Sequence, residues 1–395
     1  MTKNADTLTL PEKFERLENI LAHEIQERTR EVHTAILAIL SMKHHFQLGP
    51  PGTAKSLLVS RIARRISGLG DEGYFHWLLT KYTTPEEIFG PPSLPLLKEG
   101  KYYRVTERKL PRAAFVFLDE IFKANSSILN ANLTAMNERV FFNGDDDPNI
   151  PLITLFAASN EMPESDELAA LWDRVHFRHL IKPMQESGNF MRMLTTVMPS
   201  EPEQVLSLQE IREATQMVRN VEVPSDVYDG LKTLRDALRE EGVEPTDRRW
   251  MDCIPIIQAE AFFNGRTVAE IDDMRPLMYV LWTDEREIKT VTKEVLELAN
   301  PIDREANDLL ERITDLESEF KQVVRDADNP KAIAKQAVEI HGKMQRAKAR
   351  MDDLKERAAE SGRKSPLLDE LHNKFVSVAK LLMKDGFGVE SGDVL

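Results

Sequence analysis

The sequence predicts an α/β protein in three parts: a parallel sheet between layers of helices (αβα), a smaller all-α segment, and a C-terminal three-helix bundle. Three observations carry this reading. Short apolar strands alternate with helical segments up to about residue 183. Beyond Met184 the strand signal fades and four helical segments follow. The last hundred or so residues step between apolar positions by threes and fours, with only short breaks.

Taken in order, Phe14 to about Met42 reads as helical, with one apolar stripe at Leu17, Ile20, Leu21 and Ile25 and a second after Arg30. His45–Leu48 is a short strand, followed by a Gly/Pro-rich loop and a helical run from Ser56 to about Ser67. Phe75–Leu79, Phe115–Leu118 and Leu152–Ala158 read as further strands; the middle one is apolar throughout, as expected of a strand buried on both faces. Leu208–Val218, Val227–Leu238, Trp250–Phe263 and Met274–Leu281 read as helices of a second domain, residues 184–285, with Asn264-Gly265 as a C-terminal stop. In residues 286–385 three seams follow: Ile302 to Val323, Ile333 to Ala358, and Leu368 to Leu382. Their breaks, at Asp326–Pro330 and Ser361–Pro366, favour an antiparallel intramolecular bundle over an intermolecular coiled coil. Residues 386–395 are expected to be a loose tail.

Composition narrows the classes. One cysteine, Cys253, excludes an intramolecular disulfide and cysteine-rich zinc sites, and fits a reducing compartment. The opening residues carry no secretory signal and no apolar run is long enough to span a bilayer, so the expected location is cytoplasmic. Acidic residues (66) outnumber basic ones (52), which argues against affinity built on neutralising nucleic-acid phosphates.

The central motif is Gly49-Pro50-Pro51-Gly52-Thr53-Ala54-Lys55-Ser56, with Leu57 next, set between an apolar strand and a helix. This is the context of a phosphate-binding loop, in which backbone N–H groups and the helix start face phosphates. Lys55 is expected to bridge the β- and γ-phosphates of ATP or ADP, and Ser56 to hold Mg²⁺. The loop departs from the usual pattern at Ala54, where a glycine is common; as the start of the helix, Ala is expected to be comfortable there. Strand Phe115–Leu118 ends in Asp119-Glu120. Asp119 is placed to hold the Mg²⁺ shell through water and Glu120 to polarise an attacking water. Asn160, after the next strand, is placed to orient that water, although a turn-forming Asn reads the same in isolation.

These pieces, in this order, resemble AAA+ ATPases, and their details resemble the MoxR family and its RavA branch. The resemblance rests on Leu48–Ser56, Tyr82–Pro91 (Tyr-Thr-Thr-Pro-Glu-Glu-Ile-Phe-Gly-Pro), Phe117–Lys123, Leu133–Arg139, Ala157–Glu161, Trp172–Val175 and Thr246–Trp250, spanning most of residues 15–285. It implies an ATP-hydrolysing ring, expected to be hexameric, that remodels protein clients together with a von Willebrand factor A-domain partner. It implies that Asn160 is sensor 1, Arg174 an arginine finger reaching a neighbour's γ-phosphate, and Arg248 sensor 2. Arg178 is the competitor for the finger and Arg249 for the sensor, and a surface pair of Arg174 with Asp173 is the plain structural alternative. It further implies that residues 91–108 form a hairpin inserted in the second helix, with Leu94–Leu97 and Tyr102–Val105 flanking a turn at Lys98–Lys101. Phe141–Pro151 resembles the hairpin before sensor 1; Asp145–Asp147 within it read as a solvated acidic turn rather than a metal site. The bundle leaves no room for the small β-rich module that RavA carries in its C-terminal region. A non-catalytic nucleotide-gated scaffold and, further off, a nucleic-acid motor are the other readings. A GTPase is disfavoured by the lack of an Asn-Lys-x-Asp segment.

Overall fold

The computed structural model of the chain describes residues 8–70, 73–146, 148–163, 166–196, 202–326, 330–362 and 365–389. It divides into two compact units that meet between Thr292 and Lys293.

In the first unit, Thr9 caps α1 (Leu10–Glu24) through a reciprocal contact with Glu12. α2 (Thr29–Leu40) is buried almost throughout because its apolar run covers more than one face. β1 (His45–Leu48) leads through the Gly/Pro loop into α3 (Lys55–Ala63). A two-residue strand, β2 (Ile66–Ser67), precedes β3 (Tyr74–Leu78), and two short helices, α4 (Pro85–Phe89) and α5 (Leu94–Lys98), follow. β4 (Phe115–Asp119), α6 (Ser126–Glu138), β5 (Thr154–Ser159), α7 (Asp166–Arg174) and β6 (Phe177–Leu180) complete the core. The five longer strands form one parallel sheet in the order β3-β4-β5-β1-β6. β4 and β5 are buried on both faces, with α3 packed against both of them.

α8 (Ser187–Thr195) and β7 (Leu206–Ser207), which pairs with β2, lead into α9 (Leu208–Arg219), α10 (Ser225–Glu240) and α11 (Asp247–Phe263). α9 and α11 pack on α2, and α11 packs on α1 as well. The segment expected as a helix at Met274–Leu281 is a 3₁₀ run, Ile271–Tyr279. β6 has no counterpart among the expected strands.

The inserted segment is not a simple hairpin. Its ends do pair, through the Pro92–Arg104 bridge and the bonds Ser93 N to Tyr103 O and Val105 N to Pro91 O. Leu94–Leu97, expected as a strand, is instead the helix α5. Pro95 explains this: it lacks the N–H a ladder needs but suits the first turn of a helix. The Phe141–Pro151 segment pairs at Val140–Asn149. Asn143 binds both backbone groups of Arg104, and Tyr103 donates to Asp146, tying the two segments together. Asp147 lies outside the described residues, and no metal-binding cluster occurs among the described ones.

α12 (Ile288–Ala299) runs across the boundary into the second unit, which contains α13 (Pro301–Asp326), α14 (Pro330–Ser361) and α15 (Pro366–Leu381). The seams Ile302–Phe320, Ala337–Ala358 and Leu368–Leu382 bury their apolar positions against one another. Contacts Glu319–Gln336 and Glu305–Arg357 run in opposite chain directions, and Asp303–Ser365 and Glu317–Lys374 in the same direction, so the bundle is up-down-up. Glu317, buried in the bundle, is clamped by Lys374 at 2.6 Å and Lys321 at 2.8 Å. Residues 390–395 of the expected tail lie outside the description. Among the described residues no helix is long and apolar enough to cross a membrane.

Candidate nucleotide-binding site

The loop after β1 is pinned between its neighbours. Gly49 donates to Ser159 O at the end of β5, and Ile181, after β6, donates to Leu48 O. A Cβ on Gly49 would lie 2.4 Å from Ile181 O, so the close approach admits only glycine. Thr53 donates to Pro50 O and closes the turn. Gly52 and Ala54 both take the left-handed conformation, at φ 80° and 65°. Ala54 is therefore not comfortable: it stands just outside the helix, in a region where a Cβ costs about 1–2 kcal/mol. The expectation of an easy helical alanine is overturned by this geometry.

Lys55 begins α3, so its own N–H and that of Ser56 belong to a first turn without intrahelical partners. Its side chain is buried and curls back over the loop, donating to Gly49 O (2.5 Å), Pro50 O (3.0 Å) and Asn160 Oδ1 (2.9 Å). Burial holds this ammonium below the usual lysine range, and the carboxylates of Asp119 and Glu120 oppose that shift. Ser56 is half-buried one residue on, and Leu57 is partly exposed.

Asp119 ends β4 and accepts the N–H of Glu120 at 3.0 Å. Glu120 is buried, with a left-handed backbone (φ 55°), which turns its side chain across the strand ends. Its Oε1 accepts from Asn160 Nδ2. Its Oε2 is buried, makes no hydrogen bond, and has the Lys123 ammonium 3.2 Å away. Asn160 thus bridges the loop lysine and the candidate base. Four sequence-derived residues, Lys55, Asp119, Glu120 and Asn160, converge at the C-terminal ends of β1, β4 and β5. Lys123 completes the group; nothing in its spacing singled it out. Ser56 and Asp119 are hard oxygen donors of the kind Mg²⁺ takes, and Glu120 Oε2 is a buried acceptor with capacity to spare, so the residues fit a magnesium nucleotide.

The arginines lie elsewhere. Arg174 precedes β6, whose start pairs with the start of β1 (His45 beside Phe177). The phosphate loop follows the far end of β1, about 13 Å of strand away. Arg174 folds back to donate to Ala170 O, and its Nε is buried without a partner. Burial, then the nearby Arg248, lowers its pKa, while Asp173 opposes. Arg248, half-exposed, pairs with Asp173 at 3.6 Å, which puts it beside Arg174. The surface pair considered for Arg174 and Asp173 is not among the ion pairs of the described residues; Asp173 takes Arg248 and Arg249 instead.

Arg178 and Arg249, the competitors, are each 1% exposed. Arg178 lies 4.0 Å from the centre of the Trp172 ring and donates to the carbonyls of Val175, Trp172 and Trp282. Arg249 donates to carbonyls of Val280 (2.7 Å), Asp173 (3.0 Å), Trp172 (3.3 Å) and Val175 (3.4 Å). Burial lowers the pKa of both. Their hydrogen bonds end on internal carbonyls, whereas Arg174 is half-buried and Arg248 half-exposed.

Comparison with known proteins agrees with this architecture. Residues 12–220 match the family described as the MoxR domain in the MoxR-vWA-beta-propeller ternary systems, and residues 226–295 match the AAA lid domain. Two uncharacterized proteins of Methanocaldococcus jannaschii are 34% and 32% identical, each over 91% of this chain and over 94% and 95% of their own lengths. A crystal structure of a putative ATPase from Cytophaga hutchinsonii superposes with a TM-score of 0.60 at 15% identity, covering 74% of this chain and 95% of that one, a likeness of fold. With a phosphate loop, an acidic strand end, a bridging asparagine and a helical lid in one unit, the chain belongs to the MoxR family of AAA+ ATPases.

Proposed function

We propose that the chain hydrolyses ATP as a ring, hexameric as in the resemblance to RavA, with each site completed by the next subunit. The observation that carries this is the separation along β1. Lys55, Asp119, Glu120 and Asn160 gather at one end of the sheet, and Arg174 and Arg248 stand at the other. Among the described residues, Arg174 and Arg248 make contacts to Ala170 O and Asp173 and none to Lys55, Asp119, Glu120 or Asn160, which supports a role for them at a neighbour's phosphate loop rather than at their own.

ATP supplies the anhydride to be cleaved, and Mg²⁺ the charge that polarises it. Lys55 and the loop N–H groups would hold the phosphates, Ser56 directly and Asp119 through water would hold the cation, and Glu120 is placed to take the proton of the attacking water. Asn160 sets the direction of the Glu120 carboxylate. Arg174 and Arg248 of the neighbour neutralise charge that develops on the transferring group, a contribution worth roughly 10³-fold or more.

The resulting motion acts on a protein client in the cytoplasm. The family description names ternary systems with von Willebrand A-domain and β-propeller proteins, which supports a partner of the first kind. Lack of room for RavA's β-rich module leaves any partner of that module outside the proposal.

The test is mixing. Arg174→Ala subunits keep a sound phosphate loop and Lys55→Ala subunits keep sound arginines. Each alone is expected to be nearly inactive, and co-assembled rings to recover part of the turnover. Co-assembly without rescue would leave a self-contained ATPase, and parental turnover by Arg174→Ala alone would remove the finger.

A further inference from the structure

Asp173 is the carboxylate at the hub of the arginine edge. It is the next-to-last residue of α7, between Trp172 and Arg174. Its Oδ1 accepts from the Thr246 hydroxyl at 2.9 Å and lies 3.6 Å from Arg249; its Oδ2 lies 3.6 Å from Arg248. Thr246 is the cap of α11, and its oxygen also accepts the N–H of Arg249. One side chain of the sheet domain therefore holds the cap and the first two arginines of a lid helix.

The surroundings fix α7 on its other side as well. Trp172 donates its indole N–H to Thr283 O of the lid at 2.9 Å, and its ring carries the Arg178 guanidinium. Arg249 binds carbonyls on both Trp172 and Asp173. The last turn of α7 can thus hardly shift without the start of α11 shifting too. Charge makes Asp173 necessary to this joint. Arg174, Arg178, Arg248 and Arg249 crowd it, and Arg174 and Arg248 repel each other. Without the carboxylate, nothing on α7 draws Arg248 in against that repulsion.

We propose that Asp173 is a positioning residue that locks Arg174 and Arg248 into one rigid pair, so that lid movement at one nucleotide site is delivered as arginine movement at the next. This rests on the reading of Arg174 and Arg248 as residues that complete a neighbour's site. The lid of a subunit then reports on its own nucleotide, and Asp173 passes the report to the adjoining one. Ring subunits would fire in a coupled way without any contact beyond those that complete the site.

The experiment uses full-length assembled protein and compares Asp173→Asn, Asp173→Glu and Arg174→Ala. Asp173→Asn keeps size and the Thr246 contact but removes the charge. ATP affinity by calorimetry is expected to stay within about twofold, turnover to fall about tenfold, as for loss of a charge-assisted contact, and the Hill coefficient for ATP to drop toward one. Asp173→Glu should restore part of both, which a merely structural role would not predict. In a double-mutant cycle, Asp173→Asn should add little to the loss caused by Arg248→Gln, because it acts through that arginine. Parental turnover and Hill coefficient in Asp173→Asn, with Arg174→Ala inactive, would overturn the lock and leave the finger standing. Independent, multiplying losses in the cycle would also overturn it. Parental turnover in Arg174→Ala would instead bring down the reading beneath. Should Asp173→Asn fail to fold, Thr246→Val crossed with Arg248→Gln asks the same question from the lid side, with non-additive losses expected and additive ones fatal to the proposal.

Discussion

Two cationic clusters in the same unit have opposite economies of hydrogen bonding. Around Arg178 and Arg249 the donors end on protein carbonyls, the guanidinium groups are 1% exposed, and the joint with the lid is tight. Around Lys55 the contacts are to the loop's own carbonyls and to one asparagine; a carboxylate oxygen of Glu120 makes no hydrogen bond and faces the Lys123 ammonium, and two non-glycine residues sit at positive φ. A cluster that has spent its capacity internally is architecture. A cluster with strain and spare acceptors is where a ligand can enter, and strain concentrates at such sites because the rest of the fold offsets it. The same residue type thus divides by its surroundings rather than by charge: Arg178 and Arg249 are buried on carbonyls, Arg174 is half-buried, and Arg248 is half-exposed beside Asp173.

Removing the architecture should have the largest effect. Arg178→Ala deletes the group that satisfies three carbonyls and packs on Trp172. Each orphaned buried acceptor costs about 1–3 kcal/mol, so a loss of roughly 3 kcal/mol or more of stability is expected, read as a large fall in Tm. A variant that melts like the parent would put Arg178 back among the candidate fingers.

Changes at the nucleotide side should spare the fold and hit function in separable ways. Glu120→Gln keeps shape and the bond from Asn160 but loses the proton acceptor, so ATP should bind while turnover falls by about two orders of magnitude or more. Lys55→Ala removes a charge-assisted phosphate contact worth roughly 1.5–3 kcal/mol, so affinity by calorimetry should fall about tenfold or more. Hydrolysis at the parental rate in the first, or unchanged affinity in the second, would move the site elsewhere.

How much of this was legible follows from where the information lies. The phosphate loop, Asp119-Glu120 and Asn160 are read from strand, loop and helix within a few residues, and the bundle from a repeat sustained over whole helices. β6 went unread because Phe177-Arg178-His179-Leu180 carries two polar side chains; they are satisfied by Val175 and Trp172 close by and by Trp282 and Thr34 far along the chain. The division between Arg174 and Arg178, or Arg248 and Arg249, is invisible for the same reason. α5 differs from the hairpin strand that the family resemblance implies at Leu94–Leu97, because Pro95 suits the first turn of a helix and lacks the N–H a ladder needs. Lys123 had no signal beyond lying three residues after Glu120.

A smaller effect should appear with pH. His44, His45, His176 and His179 are buried near β1 and β6, and burial lowers all four pKa values, to about 3 for His45 and about 4 for His176. Unfolding lets each bind a proton below its ordinary pKa of 6.5, so their stabilisation is complete above 6.5 and is lost as pH falls toward 4. His33 behaves oppositely. Burial opposes its charge, but Glu260 and Glu18, at 2.9 and 2.8 Å, raise its pKa to about 10. Its stabilisation is complete below 6.5 and is lost as pH rises through 10. Tm should therefore peak near neutrality, with a decline beginning near pH 6 on the acid side. His33→Gln should flatten the alkaline limb and also alter the acid limb, because Glu260 loses the partner that holds its pKa down; an unchanged alkaline limb would deny that the link from α2 to α1 and α11 is an ion pair.

The smallest effect sharpens the comparison best, because it turns strain into a gain. Ala54 and Glu120 both hold left-handed backbone at φ 65° and 55° within the nucleotide site. For Glu120 the side chain is the reason to tolerate this. The Ala54 methyl group is exposed, and its backbone precedes the helix, where Gly is favoured over Ala. Replacing it by Gly relieves about 1–2 kcal/mol of left-handed strain and gives back about 0.4–1 kcal/mol in unfolded-chain entropy. The net expectation for Ala54→Gly is a stabilisation of roughly 0.5–1 kcal/mol, a rise in Tm of a few degrees at most, with ATP affinity and turnover kept. Glu120→Gly, by contrast, relieves the same backbone strain yet should abolish turnover. If Ala54→Gly lowers Tm, the left-handed turn at residue 54 is not the strained element, and the tolerance of alanine in this loop needs a different cause. If it raises Tm but weakens ATP binding, the Cβ is holding the loop in its binding shape, and strain at this position belongs to the function of the site as it does at Glu120.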